Sequence, residues 1–164
     1  MILQRSLPQH RLVFVQLNCD DHKWAIPPHT NGYEVSTTVD PCKVLQQDGR
    51  SGDLSGAGEG MEVFELVSHT HASGVGVRLE RVGGKPSLLW QGKPNTHQRI
   101  ESGRAQVICG EGLRVTCTYN NRGSRELRHG FHPTKDEMCI VYLSAGVKPF
   151  TELTLTQSPQ SPGG

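Results

Sequence analysis

Two histidines separated by one residue, His69 and His71, are the side chains of this sequence best spaced for metal chemistry. Side chains alternate between the two faces of a β-strand, so residues two positions apart project to the same side. An extended His-x-His segment therefore presents two imidazoles to one point, whereas neighbours on a helix lie three or four positions apart. The motif alone leaves one alternative open, which is a pair of solvated histidines at the end of a surface strand.

A methionine in an acidic segment is the candidate for a third ligand. Met138 follows Asp136 and Glu137 and precedes a strand-like run. A thioether together with two imidazoles is a soft ligand set, which favours Cu(I) over zinc or magnesium. Three protein ligands would leave one coordination position open for oxygen, water or substrate, as a catalytic metal requires. The competing interpretation is that Met138 fills the hydrophobic core.

The cysteines offer a way to hold this methionine. Cys139 directly follows Met138, so a bridge from Cys139 to Cys117 would fix the backbone of the candidate ligand and contribute about 3 kcal/mol of stability. Two unpaired buried thiols are the alternative. The chain has five cysteines, an odd number, so at most two disulfides can form. No pairing is assigned to the remaining cysteines, which are Cys19, Cys42 and Cys109.

The elements that must position these side chains have the pattern of β-strands. Apolar and polar residues alternate, or β-branched and aromatic residues cluster, over residues 12–17, 61–67, 74–82, 113–119 and 139–143. Turns containing Gly, Pro or Asn separate these runs, and no segment shows a helical stripe of helix-like length. The pattern predicts an all-β sandwich or barrel.

A single domain accounts for the length of 164 residues. Residues 46–60 are rich in Gly, Ser and Asp, which predicts a flexible loop. The C-terminal tail offers few side chains that could build a core, so we expect residues 151–164 to be disordered. The ordered domain is expected to span residues 10–150.

Charge and hydropathy exclude several classes of partner. The formal net charge of +1 gives no electrostatic reason to expect binding to nucleic acid or to an anionic membrane. No apolar run approaches the roughly 18 residues of a membrane span. Residues 1–11 lack the continuous apolar stretch of a signal peptide. The chain is therefore expected either to work inside the cell or to be a mature or excised piece whose export signal lies elsewhere.

Three segments in combination resemble a known family. They are residues 69–71 (HTH), 116–120 (TCTYN) and 130–143 (GFHPTKDEMCIVYL). Together they resemble the copper type II, ascorbate-dependent monooxygenases, the group of peptidylglycine alpha-hydroxylating and dopamine beta-monooxygenases. The resemblance is to their C-terminal catalytic domain and extends over about residues 12–145. It implies an antiparallel jelly-roll β-sandwich.

The resemblance implies a ligand set and a reaction. It implies copper held by His69, His71 and Met138, and a disulfide between Cys117 and Cys139. Family enzymes activate molecular oxygen at this copper and hydroxylate a C–H bond of a small-molecule or peptide substrate. Ascorbate supplies the electrons through a second copper, which an N-terminal domain holds. A secreted or extracytoplasmic location is also implied, since a disulfide does not persist in a reducing cytosol.

The sequence departs from the family on the substrate side. Peptide-hydroxylating members have an arginine two residues before the first histidine ligand, where this chain has Val67. They have an asparagine two residues after the methionine, where this chain has Ile140. Tyr142 matches the family tyrosine four residues after the methionine and is a candidate for substrate contact. A peptide-carboxylate clamp of the family type is therefore not expected.

A second departure concerns the electron-transfer domain, for which the chain has no room. A lone domain would need an external reductant or a partner that carries the second copper. The alternatives to a monooxygenase are a non-enzymatic copper carrier, and an inactive β-sandwich that serves as an interaction domain.

Overall fold

β-Strands make up most of the secondary structure in the described part of this chain. The computed structural model describes residues 11–19, 24–41, 43, 60–83, 86–100, 106–108 and 110–147. The strands within these ranges are β1 (Arg11–Asn18), β2 (Ala25–Ile26), β3 (Thr30–Val39), β4 (Gly60–His69), β5 (Gly74–Val82), β6 (Ser87–Gly92), β7 (His97–Arg99), β8 (Gln106–Ile108), β9 (Gly112–Asn121), β10 (Leu127–Arg128) and β11 (Ile140–Val147). The predicted all-β class is confirmed.

Parts of the predicted organisation lie outside the described residues. These parts are residues 46–59 of the predicted loop, the tail 151–164, Cys42 and Cys109. Gly60, the last residue of the predicted loop, is the first residue of β4. Within the part of the chain that the structure describes, no helix is long and apolar enough to cross a membrane.

Two sheets form the body of the domain. The first sheet has the order β1–β11–β4–β7, with β8 also paired to β4, and the second has the order β3–β9–β5–β6. All of these strand pairs are antiparallel. Buried side chains of both sheets belong to one hydrophobic cluster, so the sheets pack as the two layers of a β-sandwich. This arrangement is compatible with the jelly roll that the family resemblance implied.

The inward residues of β9 show why the alternating pattern produces this core. Leu113, Val115, Cys117 and Tyr119 are fully buried, whereas Arg114 between them is exposed. Each large apolar side chain taken from water in this way stabilises the fold by about 1.5–3 kcal/mol. Since β4 and β5 are consecutive but belong to different sheets, the turn between them crosses from one layer to the other.

A β-bulge in β4 changes which residues face the core. In the register with β11, Ser144 is opposite Glu65 and Ala145 is opposite Val63. Phe64 is therefore the extra residue between two successive pairs, as in a β-bulge.

The bulge reverses the alternation of burial along β4. The buried residues of this segment are odd-numbered before Phe64 and even-numbered after it, namely Met61 and Val63, then Leu66, Ser68 and Thr70. His69 and His71 consequently lie on the outer side of the first sheet, together with Val67.

Candidate metal centre at the end of strand β4

The two histidines of the His-x-His motif lie side by side on the outer face. His69 is the last residue of β4, and His71 follows it in the turn that leads to β5. Their ring centroids are 5.5 Å apart and their planes are inclined at 79°. Both side chains are half-buried, while Thr70 between them is buried in the interior. The extended backbone thus brings both imidazoles to one side of the sheet.

Each imidazole is oriented by a hydrogen bond at Nδ1. Nδ1 of His69 lies 2.9 Å from Oδ1 of Asn95, and Nδ1 of His71 lies 2.9 Å from the backbone carbonyl of Asp136. Because a carbonyl oxygen only accepts hydrogen bonds, we assign the proton of each ring to Nδ1. Both Nε2 atoms then keep a lone pair, which is the form of histidine that binds metals.

Asn95, which orients His69, was not among the predicted site residues. It has a φ of +58°, a left-handed conformation that asparagine tolerates better than most residues. Its Oδ1 also accepts the backbone N–H of Thr70 at 3.4 Å. The backbone N–H of Ser68 donates to the carbonyl of Thr96 at 3.0 Å and holds this turn against β4. The only signal in the sequence was the turn-forming Pro94-Asn95 pair.

Met138 lies two residues before the first residue of β11. Its side chain is 8% exposed, and the following residue, Cys139, is buried in the interior. In the pairing of β11 with β4, Ile140 is opposite His69. Ile140 therefore lies beside His69, and Met138 precedes Ile140 by two residues along the chain. The structure brings His69 and His71 together, with the Met138 backbone close to the end of their strand.

The outer face beside the ligands is apolar. Tyr142 is opposite Val67 across the β11–β4 pair, and these side chains are 44% and 39% exposed. Val67, Ile140 and Tyr142 are the three positions at which the sequence was compared with the substrate-binding residues of the family. None of the three carries a cation, and Ile140 is only 7% exposed. A substrate carboxylate would therefore find no positive partner among them.

The buried carboxylate of Glu137 links two parts of the site by hydrogen bonds: the segment that contains Met138 (the methionine segment) and the backbone around His71. Glu137 is 1% exposed, and its Oε2 accepts the backbone N–H of His71 at 2.9 Å. Its Oε1 accepts the backbone N–H of Ser73 at 2.6 Å. The backbone N–H of Glu137 donates to the carbonyl of Arg128 at 2.9 Å, and its carbonyl accepts from Gly130 at 3.1 Å. Sequence reasoning had treated Glu137 only as an acidic neighbour of Met138.

The disulfide between Cys117 and Cys139 is present, as the resemblance implied. It joins β9 of the second sheet to the residue that follows Met138, and the two Cα atoms are 5.8 Å apart. This covalent link between the two sheets therefore restrains the backbone next to Met138, the candidate ligand.

Tyr119 provides a further tie to the methionine segment. Its hydroxyl donates to the carbonyl of Met138 at 2.7 Å, and the side chain is fully buried. Its ring stacks on Trp24 with a centroid distance of 5.9 Å. Burial, with a smaller contribution from the nearby Glu137 carboxylate, raises the pKa of Tyr119 well above its ordinary value.

We expect Tyr119→Phe to lower the free energy of unfolding by about 1 kcal/mol at neutral pH, because the Met138 carbonyl loses its donor. A folded-state pKa above the unfolded value means that the stability from this group is complete below about pH 10 and is lost above it. The wild type should lose about 1.4 kcal/mol per pH unit from this group in that range, and the variant should not. Denaturant titrations from about pH 8 to about pH 11 measure the difference. Parallel pH profiles for the two proteins would contradict the assignment.

Two other histidines are engaged elsewhere. Nε2 of His97 lies 2.5 Å from Oε1 of Glu65, and this hydrogen bond holds the pKa of Glu65 below its usual value. His132 lies near the methionine segment in the sequence. Its side chain is exposed, and Nδ1 lies 3.3 Å from the hydroxyl of Thr134.

No three His, Cys, Asp or Glu side chains of the described residues are grouped closely enough to hold a metal ion. The ligand set implied by the family resemblance takes its third member, the sulfur of Met138, from outside these four residue types.

Comparison with known proteins identifies related sequences. A family model described as the C-terminal domain of copper type II ascorbate-dependent monooxygenase matches residues 13–145. The human protein named DBH-like monooxygenase protein 1 is 30% identical over an alignment of 91 residues, which covers 51% of this chain and 15% of that protein. The match thus spans only a small part of the length of this relative.

A comparison with solved structures adds little. One match is a structure of infectious bursal disease virus, Gx strain, which covers 84% of this chain and 39% of the viral chain. The TM-score is 0.27 and the sequence identity 12%, so this similarity carries no argument.

Proposed function

We propose that this chain, which belongs to the copper type II ascorbate-dependent monooxygenase family, binds one copper ion through His69, His71 and Met138. The family match over residues 13–145 confirms the resemblance read from the motifs. The observation that supports the ligand set is the hydrogen bonding of both imidazoles at Nδ1. It leaves Nε2 of each ring available to a metal, and the two ring centroids are 5.5 Å apart.

The donor atoms fit copper. Two imidazole nitrogens and one thioether sulfur form a soft set that suits Cu(I). Three protein ligands leave a position open, as in catalytic metal sites. Bound copper would supply the activation of molecular oxygen for hydroxylation of a C–H bond, which is the chemistry that we propose for this domain.

The surrounding residues keep these ligands in place. Asn95 and the Asp136 carbonyl fix the two rings, and Glu137 holds the backbone of His71. The hydroxyl of Tyr119 holds the backbone of Met138. Partners of this kind orient the ligands and raise the affinity of a site for its metal.

We also propose that the substrate presents an apolar or aromatic group to the site. Val67 and Ile140 form the surface next to His69, and the half-exposed ring of Tyr142 lies beside them. This surface favours apolar contact, and the Tyr142 hydroxyl can donate one hydrogen bond. A small molecule or a peptide is compatible with it, provided that its carboxylate is not the anchor.

The proposed hydroxylation consumes electrons, and the three ligands do not supply them. We propose that ascorbate supplies them through a separate copper domain or an external carrier, and that the chain works in a secreted or extracytoplasmic setting. The Cys117–Cys139 disulfide supports the second part, because such bonds persist in oxidising compartments.

Cu(I) titration against a competing chelator tests the ligand set. The wild type should bind one equivalent, and Met138→Ala and His71→Ala should each lose more than the roughly 100-fold that removal of an orienting partner can cost. His97→Ala removes a histidine of the same face that bonds Glu65, and should leave the affinity unchanged. An unaltered affinity in Met138→Ala would show that the ligand set is wrong.

Oxygen uptake then separates the enzyme from a copper carrier. The copper-loaded wild type is supplied with ascorbate and a panel of phenethylamines and glycine-extended peptides, with and without an N-terminal copper domain from a relative. Substrate-dependent uptake is expected. Copper binding without any substrate-dependent uptake would favour the carrier.

A further inference from the structure

The sulfur atoms of three buried cysteines, Cys19, Cys117 and Cys139, lie close together beside the methionine segment. The thiol sulfur of Cys19, a residue that is 3% exposed, lies 2.8 Å from Sγ of Cys139, which is bonded to Cys117. The backbone N–H of Cys19 donates to the carbonyl of Cys139 at 3.0 Å. This hydrogen bond continues the β1–β11 ladder, in which Asn18 is opposite Ile140. Cys139 thus contacts one cysteine in its own sheet and one in the facing sheet.

We propose that Cys19, Cys117 and Cys139 form a thiol–disulfide exchange centre in which the bond moves between an intersheet and an intrasheet position. After loss of its proton, the sulfur of Cys19 attacks Sγ of Cys139. The Cys19–Cys139 bond forms while the Cys117–Cys139 bond breaks, and Cys117 leaves as a thiolate that takes up a proton. One thiol and one disulfide exist before and after the step, so it requires neither an oxidant nor a reductant.

Both bonds are accessible without a large movement of the backbone. Cys19 follows Asn18, the partner of Ile140, so it is opposite Cys139, and opposite residues of an antiparallel pair have Cα atoms about 4.5–5.5 Å apart, which a disulfide accepts. The Cα atoms of the existing bridge, Cys117 and Cys139, are 5.8 Å apart. A rotation of the Cys139 side chain between its two neighbours is the main change that the exchange needs.

The exchange would alter how the methionine segment is held. In the present state a covalent bond joins the segment after Met138 to β9 of the second sheet. After exchange, the covalent bond would join it to the end of β1 in the same sheet, and only non-covalent contacts such as the Tyr119 hydrogen bond would tie it to β9. This inference is independent of copper binding.

Disulfide mapping tests the proposal. Lys or Arg residues separate each of the five cysteines from the next, so trypsin places them in five different peptides. The folded protein is kept without oxidant or reductant, quenched in acid, alkylated, digested and analysed by mass spectrometry. The wild type should give a Cys117–Cys139 link with alkylated Cys19, and also a Cys19–Cys139 link with alkylated Cys117.

Two variants serve as controls. Cys19→Ala should give the Cys117–Cys139 link and lose the second link. Cys117→Ala that retains its β-sheet circular dichroism should form the Cys19–Cys139 link on mild oxidation. Because Cys117→Ala lacks the Cys117–Cys139 disulfide and can unfold, the set of disulfide links found in the wild type is the deciding measurement. A wild-type map that contains no Cys19–Cys139 link after prolonged incubation overturns the proposal.

Discussion

Replacement of Glu137 by glutamine should lower the free energy of unfolding by about 3 kcal/mol, since hydrogen bonds to a charged group are worth about 1.5–3 kcal/mol each. The buried carboxylate accepts the backbone N–H groups of His71 and Ser73, one on each oxygen. Glutamine keeps one acceptor oxygen and turns an NH2 group towards the other N–H. One buried donor then loses its partner and faces a second donor. Urea denaturation followed by circular dichroism measures the loss.

The neighbouring Asp136→Asn provides a matched control for Glu137→Gln. It removes the same charge one residue away, but among the described residues the half-buried Asp136 side chain accepts one hydrogen bond, from the backbone N–H of His132 at 3.2 Å. We expect it to cost less than about 1 kcal/mol. Its backbone carbonyl, which orients His71, is unchanged. Equal losses for the two variants would mean that Glu137 contributes only its charge.

The same substitution should weaken metal binding if the proposed copper site is correct. Glu137 holds the backbone of His71 relative to the segment that carries Met138, and loss of such an orienting partner typically costs about 10–100-fold in metal affinity. Cu(I) titration of Glu137→Gln and Asp136→Asn separates this effect from a change in net charge, which both variants share.

The second large effect is expected at Asn121, a buried residue at the end of β9. Its Nδ2 donates to the carbonyls of Ile26, Pro27 and Arg125 at 3.2, 3.0 and 2.8 Å. Its Oδ1 accepts the backbone N–H of Gly123 at 3.1 Å. Asn121→Ala should lower the free energy of unfolding by about 3–4 kcal/mol, because four backbone groups lose a hydrogen bond at once, at about 1 kcal/mol each.

Hydrogen exchange can locate the effect of Asn121→Ala. Protection should fall first in β2 and in the turn after β9, which this side chain connects. Asn120→Ala is the matched control, since Oδ1 of Asn120 accepts one bond, from the backbone N–H of Gly32 at 2.9 Å. We expect it to cost about 1 kcal/mol. Uniform loss of protection throughout the domain in Asn121→Ala would contradict this local role.

Much of the fold was predictable because strand patterns are local. The run at residues 74–82 coincides with β5, and the run at residues 12–17 lies within β1. In each case the period-two alternation is visible in the sequence, since burial on one face of a sheet selects for it. The Cys117–Cys139 bond was predictable only through the family resemblance, because cysteine spacing does not determine pairing.

The supporting contacts could not be predicted in the same way. Asn95 is 26 positions from His69, and Glu137 is 66 positions from His71. Cys19 is 120 positions from the sulfur that it contacts. Each of these contacts depends on which loops and strand ends meet, and no local pattern encodes that.

By itself, the sequence determined that His69 and His71 project to the same side of an extended segment, because the side-chain period of a strand is two. It did not determine which side. Without the extra residue at Phe64, the odd-numbered positions that are buried at Met61 and Val63 would continue inward to both histidines. The pairing of β4 with β11 accommodates Phe64 as a bulge, and this register shift places the imidazoles outside the core.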